Sequence, residues 1–366
     1  MLGISADGQC HIWESEVPHP ETSWKTLFGD VWYESYSGPE KVWQSSSGDD
    51  EFEPKFSVVP LVFGSIKGTV YAMFIAIPLA LFGALYTSQF TSHRIRGIVK
   101  PTVEIMAAIP SVVIGFLAAL WFAPLVESGL TGFLLSLGFL PVFIMITIFI
   151  WQAARRYKPL RVIETGHEYL FFVPFLLLGI ILCIQVGPAL EASLFGGDLK
   201  QWFFTSAGMR YDPRNCIIIA FALGFAVIPI IFTIAEDAFS NVPKSLTAAS
   251  LAVGASRWQT VWRVILPSAS PGIFAGVVIG FGRAVGETMI VLMATGNTPI
   301  MSFSPFNGMR TLSANIAVEI PEAPVGGTLY RILFLSAVIL FLITVVLNTI
   351  AELVRQRLRG KYGRFQ

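Results

Sequence analysis

The chain has 366 residues, of which 54% are hydrophobic and 13% are charged, whereas about a quarter of the residues in an ordinary soluble domain are charged. This composition, with a mean hydropathy of +0.66, indicates an integral membrane protein. The 25 Lys and Arg residues nearly balance the 24 Asp and Glu residues, which argues against a basic nucleic-acid-binding surface. The three cysteines and four histidines lack disulfide or zinc spacing, and the sequence has no P-loop or hydrolase motif. We therefore predict no metal, no cofactor and no enzymatic activity for the chain alone.

The first 56 residues form a polar, tryptophan-containing segment that is predicted to be exposed to water. The segment holds 11 acidic residues against three lysines, for a net charge of −8. Gly3 to Glu14 contains an Asp-Gly turn and then an alternating strand, similar to the end of a propeller blade. An irregular loop is the commoner explanation of one such strand. We interpret residues 1–56 as an extracytoplasmic segment, with a remnant of a larger domain as one origin for it.

Seven apolar runs follow, each long enough to cross a hydrocarbon core of about 30 Å. They predict an all-α, polytopic bundle of seven transmembrane helices within a membrane domain spanning residues 57–366. The predicted spans lie near Pro60 to Phe90, Val103 to Val126, Leu130 to Ala153, Tyr169 to Pro188, Cys216 to Ala235, Gly272 to Thr295 and Leu329 to Leu353.

Basic residues in the loops predict the orientation, because Lys and Arg accumulate on the cytoplasmic side of a membrane. The loops of one side carry only Lys200, Arg210, Arg214, Arg310 and Arg331. The other side carries 15 of the 25 basic residues: Arg94, Arg96, Lys100, Arg155, Arg156, Lys158, Arg161, Lys244, Arg257, Arg263, Arg355, Arg357, Arg359, Lys361 and Arg364. This asymmetry predicts a cytoplasmic C-terminus and an external Met1.

An external N-terminus would require the polar segment to cross the membrane without a signal peptide or a preceding span. We therefore expect that a further N-terminal span and more of an extracytoplasmic domain precede the segment. Translocation of an acidic tail by the first span alone is the alternative.

The longest cytoplasmic loop, residues 236–270, has the pattern of two short helices. Ser245 can cap a helix through Leu246 to Val253, which Gly254 breaks. Ser256 can cap a second helix, closed by Pro267. The pattern alone is compatible with an amphipathic helix that anchors the loop to the surface, or with a partner contact through Leu251, Trp258, Val261 and Trp262.

This loop resembles the signature of the permeases of ABC importers, namely E-A-A, three residues, G, nine residues and I-x-L-P. Ala248 stands in place of the family's glutamate and Ser250 in place of its second alanine, so a salt link through that glutamate is not expected. The resemblance implies a coupling helix that sits in a cleft of a separate ATPase. The residues in the signature positions are Ala248, Ala249, Ser250, Gly254, Val264, Leu266 and Pro267.

The sixth span carries two charged residues. Arg283 lies about twelve residues after Pro271, or roughly 18 Å along a helix and near the bilayer midplane. Glu287 is four residues further on and is predicted to share its helical face. The two side chains form either a structural ion pair or an anion pathway, and charge geometry alone leaves phosphate, sulfate, molybdate and carboxylates open. Glycines four residues apart predict close helix packing at Gly276, Gly280, Gly282 and Gly286.

Three segments resemble the permeases of phosphate-specific ABC importers, of the PstC type: VVPLVFGSIKGT, EIMAAIPSVVIGF at Glu104 to Phe116, and GRAVGETM at Gly282 to Met289. The resemblance implies that Arg283 and Glu287 are the charged pair of the translocation pathway. It also implies partners: a second permease of the PstA type, an ATPase dimer and an extracytoplasmic phosphate-binding protein, in a bacterial inner membrane. A permease for sulfate or molybdate, and a non-transporting scaffold or regulatory subunit, are the alternatives.

The chain departs from the family pattern in two places. Residues Leu130 to Pro188 add a hairpin of two spans to the family core. The family's first span has no counterpart in the sequence before residue 57.

Overall fold

The computed structural model describes residues 2–4, 10–12, 22–34, 36–47, 52–154 and 169–362. The predicted all-α class is confirmed, and seven helical stretches in these ranges are long and apolar enough to cross a membrane. They are Val59–Gln89, Ser111–Ser128, Leu130–Ala153, Phe171–Leu194, Cys216–Ser240, Arg257–Gly286 and Thr328–Arg357.

The helices in chain order are α1 (Trp24–Phe28), α2 (Val59–Gln89), α3 (His93–Ala107), α4 (Ser111–Leu117), α5 (Ala123–Ser128), α6 (Leu130–Ala154), α7 (Tyr169–Leu194), α8 (Leu199–Ala207), α9 (Cys216–Ser240), α10 (Lys244–Ala252), α11 (Arg257–Thr260), α12 (Leu266–Gly286), α13 (Met289–Ala294), α14 (Leu312–Glu319) and α15 (Thr328–Tyr362). Two π-helical segments, Ala118–Phe122 and Val261–Ile265, join α4 to α5 and α11 to α12. Four short strands pair antiparallel in twos: β1 (Leu2–Ile4) with β2 (Cys10–Ile12), and β3 (Trp43–Gln44) with β4 (Lys55–Phe56).

Helix α9 forms the centre of the bundle and packs against α2, α3 and α12. Its apolar window is 61% buried, the largest share among the seven spans. The predicted close packing of glycines is confirmed for Gly276 and Gly280, because a β-carbon there would lie 3.1 Å and 2.6 Å from Ile234 and Ile231 of α9. It is wrong for Gly286, which has open space beside it.

The second span is shorter than predicted, because the chain leaves the helix before Pro110. The ring of a proline disfavours helical backbone in the residue before it, and α3 ends at Ala107. Residues 103–107 therefore belong to α3, and the span begins at Ser111.

The sixth span begins earlier than predicted, because Pro267 does not close a helix. It stands in the first turn of α12, where a missing N–H costs little. The π-helical segment before it ends with the Leu266 N–H bonded to the Val261 carbonyl, five residues back. The loop at residues 236–270 therefore continues directly into the sixth span.

The two spans predicted within Leu130 to Pro188 form a helical hairpin, α6 and α7. The helices pack closely at Gly132, where a β-carbon would lie 2.7 Å from the Ile184 Cα. Thr131 donates a hydrogen bond of 2.7 Å to Glu191. Only 11% and 17% of the two apolar windows are buried, so the hairpin stands at the edge of the bundle.

In the segment before α2, the alternating strand predicted within Gly3 to Glu14 is present over Cys10–Ile12 and pairs with Leu2–Ile4. The predicted turn lies outside the described residues. Trp43 and Phe56, which are paired across β3 and β4, are buried against α14 and α15.

Two ends of the bundle can be distinguished. Arg96, Lys100, Asp237 and Arg355 lie at one end, which we call the basic end; a cavity of about 350 Å³ there is lined by α9, α12 and Arg355. Trp43 and the loops before α9 and α14 lie at the other end, which we call the opposite end. Residues 155–168 and 363–366, with five of the predicted cytoplasmic basic residues, lie outside the described ranges.

The two ends give a labelling test of the predicted orientation. In a Cys10→Ser background, cysteines placed at the exposed Ser37 and Asp198 should react with an impermeant thiol reagent in intact cells. Cysteines at the exposed Ser245 and Gln356 of the basic end should react only after permeabilisation. Labelling of the Ser245 variant in sealed cells would contradict the predicted orientation and place the basic end outside.

Candidate substrate pathway and coupling surface

Arg283 lies in the last turn of α12, near the middle of the bundle. Gly280 packs against Ile231 and Val227, close to the midpoint of α9, and Arg283 lies about 4.5 Å further along the helix. Its side chain is exposed, and the described part of the chain provides it with neither an ion pair nor a hydrogen bond. The packing of Gly280 thus places Arg283 near the level of the midpoint of α9.

Glu287 does not share a helical face with Arg283, so the predicted pairing one turn apart is wrong. Helix α12 ends at Gly286, and Glu287 has extended backbone, with φ −68° and ψ 126°. Gly286 weakens the helix, and the Ser313 hydroxyl donates a 3.0 Å hydrogen bond to the Glu287 carbonyl. The Glu287 carboxylate instead accepts a 3.5 Å hydrogen bond from the Ile290 N–H at the start of α13.

The break between α12 and α13 brings together two of the segments that were singled out in the sequence. A β-carbon at Gly115 of α4 would lie 3.0 Å from Ile290 Cα and from the Met289 carbonyl oxygen. The segment from Glu104 to Phe116 therefore packs against the helix that follows GRAVGETM. Irregular backbone at membrane depth is typical of sites that line a cavity or pathway.

The predicted bend at Gly254 is present in the loop. Gly254 has φ +87°, a left-handed conformation that favours glycine. The Ser256 cap is also as predicted: its hydroxyl accepts from the Gln259 N–H at 3.2 Å, and the Gln259 side chain accepts from the Ser256 N–H at 2.8 Å. The Ser245 cap is wrong, because α10 begins at Lys244 directly after Pro243, whose fixed φ suits a helix start.

The exposed surface of this loop is both apolar and aromatic. Leu251, Trp258 and Trp262 are 43%, 54% and 48% exposed, whereas Val261 is buried and does not belong to this surface. Ala248 and Ala249 are exposed on α10. The Ser250 hydroxyl lies 3.0 Å from that of Thr260 and ties α10 to α11, and Leu266 and Pro267 carry the chain on into α12.

A buried carboxylate that the sequence analysis did not single out joins this loop to α3. Glu236, near the end of α9, is completely buried and forms ion pairs with Arg96 and with Lys100, the latter at 3.2 Å. Ser240 donates to it at 2.9 Å. A 2.6 Å hydrogen bond to Asp237 raises the pKa of Lys100. In the sequence, the four-residue spacing that places Arg96 and Lys100 on one face of α3 was the signal that could have indicated this cluster.

We expect Glu236→Gln to lower the free energy of unfolding by about 1–3 kcal/mol, because two cations lose their buried acceptor charge. Asp237→Asn is the matched control, since Asp237 is half-exposed and an exposed pair contributes about 0–1 kcal/mol. Thermal unfolding of the detergent-solubilised chain measures both. Equal unfolding midpoints for wild type and Glu236→Gln would mean that the charge of Glu236 contributes nothing to the stability of the chain.

Comparison with known protein families gives a match over residues 161–360 to the inner membrane component of binding-protein-dependent transport systems. The chain belongs to this family. The match includes α7 to α14 and most of α15, and thus both Arg283 and the loop with Gly254.

Several curated relatives agree with this assignment. A probable ABC transporter permease protein of Bacillus subtilis, YqgH, is 26% identical over 274 residues, covering 75% of this chain and 63% of that protein. The phosphate transport system permease protein PstC of Pasteurella multocida is 28% identical over 309 residues, covering 84% and 77%. PstC 1 of Mycobacterium tuberculosis is 27% identical over 305 residues, covering 81% and 71%. The chain thus spans less than two thirds of the Bacillus relative, and its resemblance to PstC-type permeases is confirmed.

Proposed function

We propose that the chain is the permease subunit of an ATP-driven importer of inorganic phosphate in a bacterial inner membrane, with its C-terminus in the cytoplasm. One observation carries this proposal: an arginine without a partner in the described chain is exposed near the middle of the bundle. An arginine at the bilayer centre costs about 2.5–3.5 kcal/mol on the insertion scale. Such a residue needs water, protein or an anion beside it.

An oxyanion suits this position, because the planar guanidinium can donate two parallel hydrogen bonds to two oxygens of phosphate. Glu287, at the break after α12, adds a carboxylate close to the pathway. Relatives named as phosphate transport system permeases favour phosphate over sulfate and molybdate.

A second permease completes the pathway in this proposal. Helices α4 and α12 carry exposed apolar residues, such as Val113, Phe116 and Ile279. Lipid can cover these apolar residues, but it leaves the Arg283 guanidinium without a counter-charge. A PstA-type partner supplies the other wall of an aqueous path.

An ATPase dimer binds the loop around Gly254 in this proposal, and an extracytoplasmic phosphate-binding protein delivers the anion at the opposite end. The exposed Leu251, Trp258 and Trp262 are the kind of aromatic and apolar residues that anchor protein interfaces. The bend at Gly254 orients α10 relative to α11, so it sets the shape presented to the ATPase.

The test is ATP hydrolysis by the assembled complex in proteoliposomes, with the binding protein loaded with phosphate, sulfate or molybdate. Phosphate is expected to stimulate hydrolysis at micromolar concentrations, and sulfate is not. Stimulation by sulfate or molybdate alone would identify that anion, and not phosphate, as the substrate. Hydrolysis that is indifferent to all three anions would favour a scaffold or regulatory subunit.

A further inference from the structure

Glu236 and the three residues that donate to it, which we call the Glu236 cluster, connect the end of α9 to α3. The carboxylate forms ion pairs with Arg96 and with Lys100, the latter at 3.2 Å, and Ser240 donates to it at 2.9 Å. Arg96 also donates to the Ser240 hydroxyl at 2.6 Å. Because Glu236 is completely buried, loss of its charge would leave two cations without their shared acceptor.

The end of α9 sets the position of α10, the first helix of the loop proposed to bind the ATPase. Only residues 241–243 separate the two helices. Val242 is buried, and the ring of Pro243 fixes its φ, here −55°. A connection this short and this constrained leaves α10 little freedom to move independently of α9.

On its other side, the cluster is connected through α3 to the break that holds Glu287. Residues 108–110 join α3 to α4. A β-carbon at Gly115 of α4 would lie 3.0 Å from the Ile290 Cα, and the Ile290 N–H donates to the Glu287 carboxylate. Contiguous packing therefore runs from α10 through the Glu236 cluster and α4 to the proposed pathway.

We propose that Glu236 is a positioning residue for energy coupling: its ion pairs with α3 transmit movement of α10 to α4 and to the break between α12 and α13. This role depends on the proposed function, because the movement of α10 comes from an ATPase bound there. Coupling between distant sites can travel through a connected set of groups that changes arrangement as a unit. A buried carboxylate shared by two cations and a hydroxyl is such a set, since separating its members is costly.

The experiment compares ATP hydrolysis by the assembled complex with and without the phosphate-loaded binding protein. Wild type is expected to hydrolyse ATP faster with the loaded protein, and in Glu236→Gln the ratio of the two rates should fall at least about fivefold. A purely stabilising carboxylate would change the amount of folded complex, and hence both rates equally, but not their ratio. If Glu236→Gln does not assemble, Ser240→Ala removes only the hydroxyl that bridges Arg96 and Glu236 and should lower the ratio by a smaller factor.

Glu191→Gln is the matched control. It alters a carboxylate that accepts from the Thr131 hydroxyl at 2.7 Å and from the Leu199 N–H at 2.9 Å, in the hairpin α6–α7 and its connection to α8, and it should keep the wild-type ratio. Glu236→Asp retains the charge and should restore part of the ratio that Glu236→Gln loses. A wild-type ratio in Glu236→Gln, or an equal loss in Glu191→Gln, would overturn the role of Glu236.

Amide hydrogen exchange of the full chain alone in nanodiscs separates this role from the proposed function. Glu236→Gln should exchange faster than wild type in α10 and in α13, by about fivefold or more. Faster exchange confined to α3 and α9 would show that the cluster acts only locally and would contradict the proposed role. ATP hydrolysis by a wild-type complex that is indifferent to phosphate, with the exchange difference still present, would refute the proposed function and leave the mechanical link through Glu236 in place.

Discussion

Arg283→Lys is expected to lower ATP-dependent phosphate uptake by roughly 10- to 100-fold, while membrane insertion and association with the partner permease persist. Lysine keeps the charge but lacks the planar fork that matches two phosphate oxygens. The loss corresponds to a charged hydrogen bond of about 1.5–3 kcal/mol. The control is Arg263→Lys, at an exposed arginine of the loop at residues 236–270, which should leave uptake unchanged. The measurement is the initial rate of uptake into proteoliposomes.

Exchange of the two charges separates a pathway from a structural pair. In the structure, Arg283 is helical and Glu287 is extended beyond the helix end, so the Arg283→Glu, Glu287→Arg double variant does not recreate the same arrangement. Its uptake is expected to stay as low as that of Arg283→Glu alone. Near-normal uptake by the double variant would indicate that both residues have a structural role and do not contact the substrate.

Gly254→Asp is expected to abolish phosphate-stimulated ATP hydrolysis, with a fall of about tenfold or more, in a chain that still inserts. A β-carbon at Gly254 meets no atom of the chain within 4 Å. The substitution should therefore leave the fold of the rest of the chain intact. The exposed bend would gain a negative charge on the surface proposed to enter the ATPase cleft. Phosphate-stimulated hydrolysis by the assembled complex measures the effect.

Gly254→Asn is the matched control, because asparagine has nearly the same shape and tolerates the left-handed conformation at φ +87°. It should retain a large part of the stimulation that Gly254→Asp loses. Full phosphate stimulation of ATP hydrolysis in the Gly254→Asp complex would contradict the coupling role and indicate that the loop only anchors to the surface.

Features set by local sequence were predictable. The seven spans follow from runs of apolar residues, and the hairpin α6–α7 was marked within a few residues of its bounds. The Ser256 cap and the bend at Gly254 depend on neighbours a few residues away. Such signals are readable without any knowledge of the tertiary fold.

Features set by tertiary contacts were not predictable. The helix end before Glu287 depends in part on Ser313, a residue 26 positions away, so periodicity alone wrongly extended the helix. Pro267 was misjudged because the π-helical segment ahead of it already alters the bonding of that turn. The burial of Glu236 and its ion pairs is recognisable only once the neighbouring helices are in place.

The most direct measurement of the central claim is uptake of radiolabelled phosphate into proteoliposomes that contain the full chain with the PstA-type permease and the ATPase that are proposed as its partners. With the phosphate-binding protein outside and ATP inside, phosphate should accumulate against its gradient, and Arg283→Lys should reduce that uptake at least about tenfold. Absence of ATP-dependent accumulation by an intact wild-type complex, or uptake by Arg283→Lys at the wild-type rate, would contradict the account.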